Sequence, residues 1–205
     1  MATATFWDNA AEKYAKDPIS DMEGYTKTLD IIKGLLEPQH RVLELGCGTG
    51  STALELAPLV DRYTGTDISP NMIAIANKKR ADASFDNLRF DVAKADQLPD
   101  TQNDVILALN LLHLVPNVEE TLRLIYDALP PGGHFIAKTG MLRDGAWYLT
   151  PMIALMRVVG KAPYVKRVSE EDFKAMLWDT GFRLTETITQ PGIAPRLFTV
   201  AQKPD

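Results

Sequence analysis

One stretch limits what this chain can become: RVLELGCGTG, residues 41–50, an apolar run that meets an acid and then three alternate glycines. A parallel strand that stops in such a turn and enters a helix aims its last backbone amides, and the helix amino end, at the carboxyl edge of the sheet. Gly46, Gly48 and Gly50 carry no side chains that would keep a ligand from that backbone. The next strand ends at Asp67, where a carboxylate can accept hydrogen bonds from both hydroxyls of a ribose. Together the two features point to a nucleoside ligand. Two common phosphate-binding loops do not fit: the GxGxxG fingerprint needs glycine where Ser51 stands, and the P-loop needs a GK[ST] that does not follow.

Periodicity along the chain predicts an alternation of strands and helices, hence a parallel sheet. Helices are expected over 5–16, 21–36, 51–57, 70–80, 118–129 and 169–179, and strands over 41–45, 62–66, 87–92, 104–109 and 134–138. VLEL and DVILAL are nearly continuous apolar runs, as strands covered on both faces require. The closing runs 182–189 and 196–202 are separated by QPGIAP, too short for a helical crossover, so they should pair as a hairpin. At 205 residues one core suffices, which predicts a single α/β domain, Rossmann-like and doubly wound, mostly parallel with an antiparallel C-terminal hairpin strand. Within it, residues 1–37 form cap helices, 41–140 the cofactor-binding core, 141–168 an insert over the acceptor site, and 169–205 the last helix and hairpin.

In VLELGCGTG, TGTDISPNMI, DVILALNLLHLVPN and LPPGGHF, in that order, the sequence resembles the class I S-adenosylmethionine-dependent methyltransferases of small molecules. The resemblance spans roughly residues 42–137, and the terminal hairpin is similar to that family's antiparallel seventh strand. It implies S-adenosylmethionine as cofactor and S-adenosylhomocysteine (SAH) as product. By residue, it implies that Glu44 organises the glycine loop and the cofactor's amino end, while Gly46, Cys47, Gly48 and Gly50 line the methionine part. Asp67 would hold the ribose, Ile68 and Met72 the adenine, and Asn110 and Leu111 the region of the departing methyl. Tyr14 looks like the aromatic that often covers the cofactor, or else simply packs. The family often carries Asp-Ala ahead of LP to bind the adenine amino group. This chain has Lys94-Ala95 there, with Asp96 next, and lysine cannot accept that bond. Either backbone groups at Lys94 and Ala95 read the adenine, or Asp96 reaches it.

A sulfonium methyl is already electrophilic, so alignment and water exclusion carry most of the chemistry, and a base is needed only where the acceptor must lose a proton. His113, three residues past Asn110, is the candidate catalytic base; its bland reading is a packed, hydrogen-bonded histidine. His40 and His134 sit at the opposite strand ends. The insert carries Trp147, Tyr148, Met152, Met156 and Tyr164, an apolar wall suited to a small hydrophobic or aromatic acceptor, or core. Arg157, Lys161, Lys166 and Arg167 read as a solvated basic face or as a site for an acidic acceptor or membrane surface.

A formal net charge of −5 offers no broad attraction to phosphate backbones, which argues against nucleic acid. One cysteine, Cys47, with no Cys/His cluster, gives neither a disulfide nor a metal site and fits a reducing, cytoplasmic setting. The run 151–160 is short and holds Arg157, so no stable membrane insertion is expected, and a monomer or homodimer fits. Two rival readings remain: a nicotinamide-dependent oxidoreductase, and a binding protein that holds S-adenosylmethionine without catalysis.

Overall fold

The strands form where the apolar runs lie: β1 Arg41–Leu45, β2 Arg62–Asp67, β3 Leu88–Val92, β4 Val105–Leu109, β5 His134–Gly140, β6 Arg183–Gln190 and β7 Arg196–Gln202. They make one seven-stranded sheet of order β3-β2-β1-β4-β5-β7-β6. The first five are parallel; β7 is antiparallel to β5, and β6 is antiparallel to β7. This computed structural model describes residues 2–99, 101–145, 156, 162–192 and 194–205. Trp147, Tyr148 and Met152, with Arg157 and Lys161, lie outside them.

Helices cover both faces: α1 Ala2–Lys16, α2 Met22–Leu35, α3 Ser51–Leu56, α4 Pro70–Ala83, α5 Val118–Ala128 and α6 Glu170–Thr180. Strand alternation divides the core in two. On one face Leu43, Leu45, Ile106 and Phe135 pack with Leu122 and Ile125 of α5 and Phe173 and Leu177 of α6. On the other, Val42, Leu107, Ile136 and Phe198 pack with Leu29 and Ile32 of α2, Leu56 of α3 and Ile73 of α4. The doubly wound sheet with its antiparallel end is the architecture the alternation predicts.

Several boundaries differ from the sequence reading for local reasons. The third helix stops at Leu56, and Pro58 sits in the 3-10 turn Ala57–Leu59 that follows, since proline cannot continue the helical ladder. Ser69 starts α4 by accepting from the Met72 amide, while Ser169 and Asp172 form a capping box at α6. Strand β5 continues past Lys138 to Gly140, because β7 supplies partners for the extra residues, Thr139 with Leu197 and Gly140 with Arg196.

Candidate active site

The glycine turn leaves β1 with Gly46, Gly48 and Gly50 at φ +67°, +54° and +77°, a region that side chains disfavour. Its shape is held from the neighbouring strand. The Cys47 amide donates to the Thr66 carbonyl at 2.9 Å, and the Gly48 amide donates to Asp67 Oδ2 at 3.0 Å. A Cβ at Gly46 would lie 2.7 Å from Leu111 Cδ1, so this residue is confined by sterics as well as by φ. Gly50 serves packing: a Cβ there would meet Phe90 Cζ at 2.6 Å, and it lines neither of the cavities at this edge.

The first cavity, about 300 Å³, opens beside the turn. Gly46, Gly48, Asp67, Ile68, Met72, Lys94, Ala95, Asp96, Asn110 and Leu111 line it, with Tyr14 above. Asp67 accepts from the amides of Gly48 and, at 2.9 Å, Ser69, one on each oxygen. Each oxygen keeps lone pairs for a further donor. Burial raises its carboxyl above the usual range, and those amides pull it back. Ser69 continues the network: its hydroxyl donates to Asp8 Oδ1 at 2.6 Å, and the Asn71 amide donates to the same oxygen at 3.2 Å. These bonds seat α1, and with it Trp7 and Tyr14, over the sheet edge.

The second cavity, about 800 Å³, lies on the α2 side and is lined by Glu44, Cys47, His113, Lys138 and Arg196 among others. The two cavities share Trp7, Tyr14, Gly46, Gly48, Leu109, Asn110 and Leu114. Asn110 stands at that common rim with φ +57°, its amide donating to the Lys138 carbonyl at 2.6 Å. Strained backbone of this kind, on a residue other than glycine, concentrates at functional sites.

A family model described as a methyltransferase domain matches residues 43–135. This chain contains a methyltransferase domain. Its curated relatives include the highly reducing polyketide synthase easB of Emericella nidulans, 35% identical over 117 residues, 50% of this chain and 5% of that protein. Another is the 27-O-demethylrifamycin SV methyltransferase of Amycolatopsis mediterranei, 32% identical over 165 residues, 78% of this chain and 60% of that one. The chain thus spans less than two thirds of the length of both. Among solved structures, the DhpI–SAH complex superposes with a TM-score of 0.76 at 21% identity, covering 99% of this chain and 96% of that one, a likeness of fold.

Within this methyltransferase domain the electrostatics sort the candidates. Glu44 is 2% exposed and receives the Tyr63 hydroxyl on Oε2 at 2.9 Å. Burial pushes its carboxyl up to about 7, against the pull of that bond. Burial, followed by the charges of Glu44 and Asp67, raises the Cys47 thiol well above its ordinary value, which leaves it a small packed residue and no nucleophile.

His113 lies in the short 3-10 turn Leu112–Leu114, and the Gly140 amide donates to its Nδ1 at 3.4 Å. Burial, then the nearby Arg196, lowers it to about 4. The ring is therefore neutral with its proton on Nε2, which makes that atom a donor. The nitrogen left to face a ligand is then a donor, which sets a second reading of His113, a group that orients the acceptor, beside the expected base.

Sequence reasoning missed Trp7, Tyr63, Lys138 and Arg196. Only Lys138 carried a signal, as a lysine closing the apolar run HFIAK. Lys166, read as part of a basic face, pairs with Glu119 at 2.6 Å. Among the described residues no group of His, Cys, Asp or Glu could hold a metal ion, and no helix is long and apolar enough to cross a membrane.

Proposed function

We propose that this protein transfers the methyl group of S-adenosylmethionine to a small-molecule acceptor. The observation that carries the reading is the pair of cavities meeting at Gly46, Gly48 and Asn110, one beside a ribose-type carboxylate and one open to a second ligand. The residues fit the cofactor: positive-φ glycines leave the backbone bare, and Asp67 has lone pairs to spare after fixing the loop. A dinucleotide would need room for a pyrophosphate at the turn, where the sequence lacks the third fingerprint glycine.

S-adenosylmethionine supplies a methyl group on a sulfonium, already activated for attack. The chain's own task is placement. Asp67 accepts the ribose hydroxyls, and Ile68, Met72 and the backbone of Ala93 to Ala95 border the adenine, with Lys94 and Asp96 at its edge. Glu44, at the floor of the second cavity, faces the amino end, where a cation would favour its ionised form. Asn110 and Leu111 hold the rim where donor and acceptor meet, and Trp7 and Tyr14 keep water from it. His113 donates from Nε2 to the acceptor and so orients it. The acceptor is a small organic molecule with an apolar body.

Thermal unfolding with added SAH or NAD tests this reading. A ligand at a hundred times its dissociation constant adds about 2.7 kcal/mol to native stability. SAH should raise the unfolding temperature and NAD should not; the reverse pattern would make the protein an oxidoreductase. Binding of SAH without turnover over a broad acceptor panel would leave a binding protein only.

A further inference from the structure

The second cavity contains a charge that the reading so far does not use. Lys138 is 5% exposed, at the carboxyl end of β5 on the face covered by α2. Among the described residues its Nζ reaches only neutral partners, Thr28 Oγ1 at 3.3 Å and the Gly24 carbonyl at 3.5 Å. An ammonium carries three N–H donors, so one remains beyond these two long contacts. Among the described residues no carboxylate oxygen lies within 4.0 Å of it.

Arg196, at the start of β7, lines the same cavity, and its strand partner is Gly140, two residues beyond Lys138. Among the described residues its one ion-pair partner is Asp21, at 4.0 Å. Asp21 is already engaged: its Oδ1 accepts from the Gly24 amide to cap α2. Burial, and then the charge of Arg196, lowers the Lys138 ammonium from its ordinary value, while Asp21 raises it. Two cations, one buried, thus face a cavity in which Asp21 caps α2 through Oδ1 and stands at the limit of an ion pair with Arg196 through Oδ2. A buried charge of this kind is stabilised by a counter-ion; among the described residues none lies within ion-pair distance of Lys138, and Asp21 acts on it only from farther away.

We propose that the acceptor is a small carboxylic acid whose carboxylate binds between Lys138 and Arg196. This rests on the methyltransferase reading and adds the acceptor's chemical class. Such a carboxylate would sit against the α2 side of the cavity, with His113 beside Gly140 and the shared rim at Asn110 ahead of it. The apolar body would then extend toward the rim, and the atom to be methylated would be the one farthest from the charge. An amide or ester of the same shape would leave Lys138 unpaired and lose the charge-assisted bonds.

The test uses the full chain loaded with SAH and a panel of small carboxylic acids, aromatic and aliphatic, each paired with its primary amide, titrated by calorimetry. At least one acid should bind about tenfold or more tightly than its amide, in keeping with a hydrogen bond to a charged group. Lys138→Met should remove that preference while SAH affinity stays unchanged. Arg196→Gln, at an exposed strand start, should reduce it and covers the case in which the Lys138 variant does not fold. No acid preferred over its amide, or a preference that survives both variants, overturns the proposal. Failure of SAH itself to bind would instead overturn the methyltransferase reading, so the two failures are distinguishable.

Discussion

Tyr63 donates its hydroxyl proton to Glu44 Oε2 across 2.9 Å, and neither side chain is more than 2% exposed. The carboxyl titrates near 7 in the fold against an ordinary 4.5, so the native state holds its proton more tightly than the unfolded chain does. Stability from this group is complete below the unfolded value and is lost as pH rises through about 7, with a total of roughly 3 kcal/mol. Urea unfolding from about pH 5 to pH 8 should show Glu44→Gln gaining on the parent chain across that interval. Tyr63→Phe removes the bond that favours the ionised form and should make the parent's loss steeper. A constant difference at all pH values would show that Glu44 titrates normally.

Asp67 carries two loop amides and, in the proposed complex, two ribose hydroxyls. Asp67→Ala should weaken SAH binding roughly a hundredfold or more, since each of two bonds to a charged acceptor contributes about 1.5–3 kcal/mol. Asp67→Asn keeps a neutral acceptor and should fall in between. Calorimetric titration measures both, and an unchanged dissociation constant for the Ala variant would move the ribose elsewhere.

Gly46 stands at φ +67° with Leu111 Cδ1 2.7 Å from where a Cβ would be. Gly46→Ala combines left-handed strain with overpacking and should cost about 2–4 kcal/mol. Adding Leu111→Ala relieves the clash but not the dihedral, so the double variant should recover only part. Full recovery in denaturant unfolding would show that φ there is readily changed.

For His113, the fixed tautomer makes a specific demand on kinetics. With the acceptor identified, His113→Gln, which can still donate, should keep kcat within a few-fold of the parent, and His113→Ala should lose more. Neither should remove a limb from the pH profile between about 6 and 8, because the buried ring titrates near 4. An acid-side limb, with kcat rising with pH, that disappears in both variants would show His113 to be the general base.

The first cavity was legible in the sequence because its lining residues follow directly on the ends of parallel strands: Gly46 and Gly48 after β1, Ile68 after β2, Lys94 to Asp96 after β3, and Asn110 and Leu111 after β4. Parallel strands deliver their ends to one edge, so sequence adjacency becomes spatial adjacency. The second cavity was less so. Arg196 joins it only because β7 inserts beside β5 in antiparallel register, and Lys138 shares its face only by the alternation of β5. Tyr63 reaches Glu44 through the pairing of β1 with β2, which brings side chains 19 positions apart together. Trp7 depended on where α1 docks, and that is settled by Asp8, a residue with no sequence motif around it. The tautomer of His113 likewise needed the two residues of β5 beyond Lys138, where the apolar pattern had already ended.

The hydrogen-bonded line from Asp67 through Ser69 to Asp8 links the floor of one cavity to the helix above both. A guest that tightened this line would stiffen the common roof and leave a second guest less disorder to quench. In the proposed complex each ligand would then strengthen the other's binding by the same factor without touching it.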